Sequence, residues 1–145
     1  MNTYKQLKDK QQAETDAFPI GAAFGNEQFA EMMQKFGLTI DDKDKILSLG
    51  CGCFIRKSDE TAFDEMFKRH KQEMQDAIAS DKTGDGFIYD MFIYELANHE
   101  YCITYDLEET LNALGLSVEE INADERLLHG LNKAIEDYLK TNTDY

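Results

Sequence analysis

Long apolar runs are missing from this chain. None approaches the roughly 20 residues that a membrane-spanning helix needs, and the N-terminus, MNTYKQLKDKQQAETD, is too polar for a secretory signal. Both absences predict a soluble, cytoplasmic protein. Cysteine is scarce and odd in number, three in 145 residues, which argues against a disulfide framework and fits a reducing compartment. Proline occurs once, at Pro19. Positive charge is the largest deficit: 15 Lys and Arg face 29 Asp and Glu, for a net charge of −14. Residues 1–57 are balanced, with 8 acidic and 8 basic residues, whereas 58–99 hold 10 and 4 and 100–145 hold 11 and 3. The last two thirds would repel a phosphate backbone, so direct nucleic-acid binding is disfavoured. An acidic surface suits solubility, a basic protein partner, or imitation of nucleic acid.

Aromatic and apolar residues concentrate in one place, GDGFIYDMFIYELANHEYCITYD, Gly84 to Asp106. From Phe87 to Ala97 they cover almost every direction of a helical wheel, the mark of a buried helix. Such a dense run is compatible with strand or helix by periodicity alone. Helix is the reading adopted for 86–98, with Asp85 as its N-cap and Asn98 as its stop. Tyr101 to Tyr105 (YCITY) is β-branched and aromatic and reads as a short strand.

The rest of the chain is expected to pack around that helix. Residues 1–16 form a polar helix in which only Tyr4 and Leu7 mark an apolar side, so weak packing is expected. AFPIGAAFG, 17–25, is a connector. Asn26 caps a helix with Phe29, Met32, Met33 and Phe36 on one face, stopped by Gly37. KILSLGCGCFIRK, 45–57, reads as one glycine-bent strand or two short strands, pairing with YCITY. A long helix runs from Ser58 or Asp59 to about Ser80, its stripe made by Phe63, Met66, Phe67, His70, Met74, Ala77 and Ile78. His70 reads as a core-edge histidine. Asp106 caps the next helix, Gly115 ends it, and Ser117 with Glu120 forms a capping box. The tail 141–145 is expected to be flexible. No linker or repeat divides the chain, so the expectation is a single domain, 1–145, of α+β class: mostly helical, with a buried central helix and a small antiparallel sheet.

Four patterns carry chemistry. ILSLGCGCF, Ile46 to Phe54, is like the glycine-rich turn of cofactor-dependent methyltransferases, but Ser48 stands where an acid is usual and the last glycine is missing. DKTGDGFIYDMF, Asp81 to Phe92, opens like a calcium loop, yet its twelfth residue is Phe92 where a bidentate Glu is needed. Cys51, Cys53, His99 and Cys102 are a chemically valid zinc ligand set at an unfamiliar spacing. Glu95 and His99, at i,i+4, share one side of the central helix: either an acid/base pair or half a metal site, or an ion pair or hydrogen bond that closes the helix end.

GCGCFIRKSD, the RH of the long helix, and the run from GDGFIYDMFIYELANHEY to LGLSVEEI resemble a family of small uncharacterised proteins. These come from Gram-positive and related bacteria and their phages and mobile elements; the motif YELANHEY, Tyr94 to Tyr101, is the most specific part. The resemblance implies a setting and no chemistry. With the charge, it leads to the expectation of a non-enzymatic binding protein without a cofactor. Its acidic face, Glu108, Glu109, Glu119, Glu120, Asp124 and Glu125, would occupy the groove of a basic nucleic-acid-binding protein, for instance a host defence protein. The alternatives are a zinc site or an enzyme centred on His99, and a methyltransferase-like protein.

Overall fold

The computed structural model describes residues 1–101 and 106–142. In chain order these form α1 (Thr3–Ala17), β1 (Gly21–Ala22), α2 (Asn26–Lys35), β2 (Ile46–Gly50), β3 (Cys53–Arg56), α3 (Glu60–Ser80), α4 (Phe87–Asn98), α5 (Glu108–Leu114), α6 (Val118–Asn122) and α7 (Glu125–Asn142), with 3-10 turns at Lys43–Lys45 and Lys57–Asp59. The class is α+β, mostly helical. The chain divides into two compact units, one of Met1–Lys10 with Glu73–Tyr145 and one of Gln11–Gln72.

The first unit is built on α4. Ile88, Met91, Phe92 and Leu96 are completely buried, and no residue from Phe87 to Leu96 is exposed. Tyr4, Leu111, Ile121, Leu127, Leu131, Ala134 and Tyr138 complete its core. The opening turn of α1 is therefore anchored more firmly than a helix with two apolar residues suggests: the Tyr4 ring stands edge-on to Phe87 at 5.9 Å and to Tyr94 at 5.5 Å.

The cap of α4 differs from the one expected. Asp81, not Asp85, receives the free backbone donors: its carboxylate accepts from the N–H groups of Thr83, Gly84, Gly86 and Ile88 at 2.9–3.2 Å. These are the letters that look like a calcium loop, folded so that the carboxylate faces the loop's own amides. Burial pushes the Asp81 carboxyl up, but the four N–H groups outweigh it and hold it below its ordinary value. Asp85 turns outward to His129 and Lys133, at 2.7 and 3.1 Å. Arg126, at the start of α7, donates to the carbonyls of Ile78 and Asp81, meeting the last turn of α3 where a cation is favoured. Asp106 Oδ1 accepts from Glu108 N–H before α5, and the Ser117–Glu120 capping box opens α6.

In the second unit the sheet has the order β1-β3-β2, all antiparallel. The expected partner of 45–57 was YCITY. Instead, β2 and β3 pair with each other, and the connector residues Gly21 and Ala22 supply the third strand. Tyr101 is helical, and 102–105 lie outside the described residues. Gly25, in fully extended conformation, precedes α2 where Asn26 was expected to cap, and no side chain caps it. Gly37, at φ 75°, ends α2 as expected: Leu38 and Gly37 return their N–H groups to the carbonyls of Met33 and Gln34. The Phe63-to-Ile78 stripe of α3 is only partly covered. Met66 and His70 are buried, but Phe67 is 43% exposed and packs edge-on against Phe63, its neighbour on the same helix. At the C-terminus, Thr141 and Asn142 of the expected flexible tail belong to α7, where Asn142 donates to the Tyr138 carbonyl; 143–145 lie outside the described residues. Among the described residues no helix is long and apolar enough to cross a membrane.

Gly130 of α7 packs tightly against α4 and the loop that leads into it. A Cβ there would stand 2.6 Å from Ile88 Cγ2 and 2.8 Å from the Gly84 carbonyl oxygen, an atom of the backbone that cannot swing aside. Gly130→Ala should gain about 1 kcal/mol of helix propensity and lose about 1–3 kcal/mol to overpacking. We expect the loss to win, with a lower thermal midpoint; a raised midpoint would show that the two helices separate at little cost.

Candidate functional site

The burial pattern of α4 carries Glu95 inward. It follows Phe92 by three residues and Met91 by four, so it shares their side of the helix, and it is 1% exposed. A bare carboxylate there would be costly. Its partners come from α1: Tyr4 Oη donates to Glu95 Oε1 at 2.7 Å, and Lys8 Nζ reaches the same oxygen at 3.1 Å. Asn98 Nδ2 reaches Oε2 at 3.5 Å, and the buried Thr110 hydroxyl donates to the Glu95 carbonyl at 3.4 Å. The Lys8 ammonium also lies over the Tyr4 and Tyr94 rings at 5.5 and 5.6 Å.

The protonation states follow from this geometry. Burial pushes the Glu95 carboxyl up, but the bonds from Tyr4, Lys8 and Asn98 together outweigh it, so its affinity for a proton is below the ordinary carboxylate value. Burial, and then the bond to Glu95, pushes the Tyr4 phenol far above its ordinary value. At neutral pH the pair is a phenol donating to a carboxylate. Lys8 has a side chain 41% exposed, so water screens that ion pair; the wholly buried Tyr4 bond is the stronger constraint.

His99 ends α4. Its backbone N–H returns to the Glu95 carbonyl at 3.0 Å. Its ring Nε2 lies 3.2 Å from Glu95 Oε2, and Nδ1 lies 3.5 Å from Glu109 Oε2. Distance alone makes the Glu95 contact an ion pair, but Nε2 is buried and has no hydrogen-bond partner in line with it. The two groups are therefore close without a formed hydrogen bond, since a hydrogen bond weakens steeply when bent. His99 thus stands between two carboxylates at the negative end of a helix.

The match to known families extends over nearly the whole chain, from residue 3 to residue 137. The chain belongs to DUF7659, a family of unknown function. No curated protein and no solved structure matches it. The family span takes in every member of the Glu95 network, from Tyr4 to Thr110.

Cys51 and Cys53 are in the second unit, His99 is in the first, and Cys102 is outside the described residues. Cys51 and Gly52 form the two-residue turn between β2 and β3, with φ of 53° and 78°. Two positive φ values are the pattern of a type I′ hairpin turn, which matches the twist of paired strands. The glycines of ILSLGCGCF therefore join two antiparallel strands instead of a strand and a helix. In the second unit His70 is buried, with Nε2 3.2 Å from Glu14 Oε2. A hydrogen bond from Arg69 holds the Glu14 carboxyl down to about 2. Of the six acidic candidates, Glu120 is occupied in its capping box and Asp124 is held by Arg126, which also lowers its carboxyl. Tyr4, Lys8 and Thr110 were not recognised in the sequence as partners of Glu95. The only signal was that Tyr4 and Lys8 stand one helical turn apart.

The sign of the pH effect follows from the lowered Glu95 value. The stability that Glu95 contributes is complete above the unfolded carboxyl value of about 4.3 and is lost as pH falls through the lower folded value. Tyr4→Phe should cost about 1–3 kcal/mol, the penalty for a buried acceptor losing its donor, and should move acid unfolding to higher pH. In Glu95→Gln the acid limb of a stability-against-pH curve should flatten. Acid unfolding that is the same in all three proteins would show that Glu95 is not held as described.

Proposed function

We propose that the protein is a non-enzymatic binding protein whose first unit presents carboxylates to a basic partner. The observation that carries this is where the unit's bases go. Its sequence holds 18 acidic and 7 basic residues. Each base engages an acceptor of its own unit: Lys5 with Asp9, Lys8 with Glu95, Lys10 with Glu73, Lys82 with the Ala79 carbonyl, Arg126 with Asp124, Lys133 with Asp85, and Lys140 with Glu136. Glu108, Glu119 and Glu125, exposed in the first turns of α5, α6 and α7, have no cationic partner among the described residues. Exposed Val118, beside Glu119, adds an apolar contact. Carboxylates arrayed this way favour fast, salt-sensitive association with a basic groove. The sharpest form of the reading is an inhibitor, from a phage or mobile element, that imitates nucleic acid before a cytoplasmic host defence protein.

A pull-down from host lysate at low and high salt tests it, with Glu108→Lys, Glu119→Lys and Glu125→Lys combined as the control. We expect a basic protein to be retained at low salt, released at high salt and absent from the variant. No basic protein at low salt, or equal retention by the variant, would overturn the reading. A second reading, a metal-dependent site around His99, is supported by its buried Nε2 without a hydrogen bond. Elemental analysis of protein without a histidine tag decides it: less than about a tenth of a zinc per chain removes a tightly bound structural zinc.

A further inference from the structure

The second unit carries a surface of a different kind. Strand β2 is an outer strand of the sheet, and its exposure increases along its length until Ser48, Leu49 and Gly50 are all open to solvent. Its five residues, ILSLG, include no charge and no proline, the usual guards of an outer strand. The only guard is the irregularity between Ser48 and Gly50, where Gly50 N–H turns to Ser48 Oγ at 3.2 Å. It limits regular outward pairing to the Ile46–Ser48 end.

A cavity of about 500 Å³ adjoins that end. Ile46 and Ser48, alternate residues of one strand face, line it, together with Phe54, which pairs with Ser48. Phe29 from α2, whose ring meets Phe54 edge-on at 6.1 Å, forms part of the wall. Lys43 is the one charged side chain in the lining, and it has no counter-ion among the described residues. An aromatic wall, a strand edge whose outward hydrogen-bonding groups are unpaired among the described residues, and one cation together specify the occupant.

We propose that the β2 edge is a docking site for an extended, acidic segment of a partner protein. The segment adds a strand along Ile46–Ser48, places an apolar side chain against Phe29 and Phe54, and sets a carboxylate against Lys43. Main-chain bonds supply affinity and the flanking cavity supplies selectivity, as in other strand-addition complexes. Charge argues against a second copy of this chain as the occupant. An antiparallel copy centred on Leu47 and Ser48 would face Lys43 with the Gly50–Cys53 turn, which holds no carboxylate. The site uses residues of the second unit alone and does not depend on the acidic face of the first.

The full chain can be screened against a displayed library of random eight-residue segments, and the enriched sequence then synthesised with blocked ends. We expect alternating apolar sequences with an acidic residue, and shifts in the backbone amide signals of Ile46–Ser48 on titration. Lys43→Glu changes an exposed side chain and should leave the circular dichroism spectrum unchanged. It should weaken that peptide by about fivefold, the upper range for one exposed ion pair. Four outcomes would overturn the proposal: no enriched segment, enrichment of basic segments, equal binding to Lys43→Glu, or amide shifts that avoid β2. A peptide-free chain that sediments as a dimer, with β2 amides shifting on dilution, would assign the edge to a second copy instead.

Discussion

A helix that is apolar on every side must be covered on every side, and the first unit is arranged around that demand. The opening turn of α1, then α5, α6 and α7, supply the covering side chains. The absence of a side chain at Gly130 lets α7 come close enough to do so. The same demand creates the unit's main polar problem. A carboxylate on a fully covered helix goes inside with its neighbours, and Glu95 is stable there only because Tyr4 and Lys8 bring a donor and a charge to it. Tyr4 meets both needs, since its ring belongs to the core and its hydroxyl belongs to Glu95.

This internal use of bases shapes the surface. Lys8 is drawn to Glu95, Arg126 to Asp124 and the end of α3, and Lys133 to Asp85. What remains outward at the starts of α5, α6 and α7 is glutamate, placed at the positive ends of helices where it stabilises them locally. Local helix stability and a one-sign surface therefore arise from the same residues. The sequence of the second unit is closer to charge balance, with 11 acidic and 8 basic residues, and the unit leaves Phe24, Ile40, Leu49 and Phe67 exposed.

Helices with strong local signals were legible in the sequence. The apolar density of 86–98 marked α4, which runs from Phe87 to Asn98, and Gly37, Gly115 and the Ser117–Glu120 pair marked helix ends that the structure shows. Signals that lean on a distant partner misled. Asp85 and Asn26 stand where caps usually stand, but Asp81 reaches across its loop to cap α4, and Gly25 precedes α2 without a side-chain cap. Strand 45–57 was recognisable as extended, but its pairing with Gly21–Ala22 depends on backbone hydrogen bonds that no residue type announces. Within the candidate site, Glu95 and His99 were visible as an i,i+4 pair, whereas Tyr4, Lys8 and Thr110 were not, being 91, 87 and 15 residues away from Glu95.

The sequence by itself determined the α+β class, the buried helix, the acidic balance and the helix ends at Gly37, Gly115 and Ser117. Each of these depends on residues within a few positions of one another, or on composition alone. Only the tertiary structure decided which carboxylate is buried and which is free, because that is settled by what packs over it: Tyr4 and Lys8 close over Glu95, while Glu108, Glu119 and Glu125 are left open. A carboxylate has the same intrinsic chemistry in both places. Whether it becomes a structural anchor or a binding surface is fixed by the water that folding removes from around it.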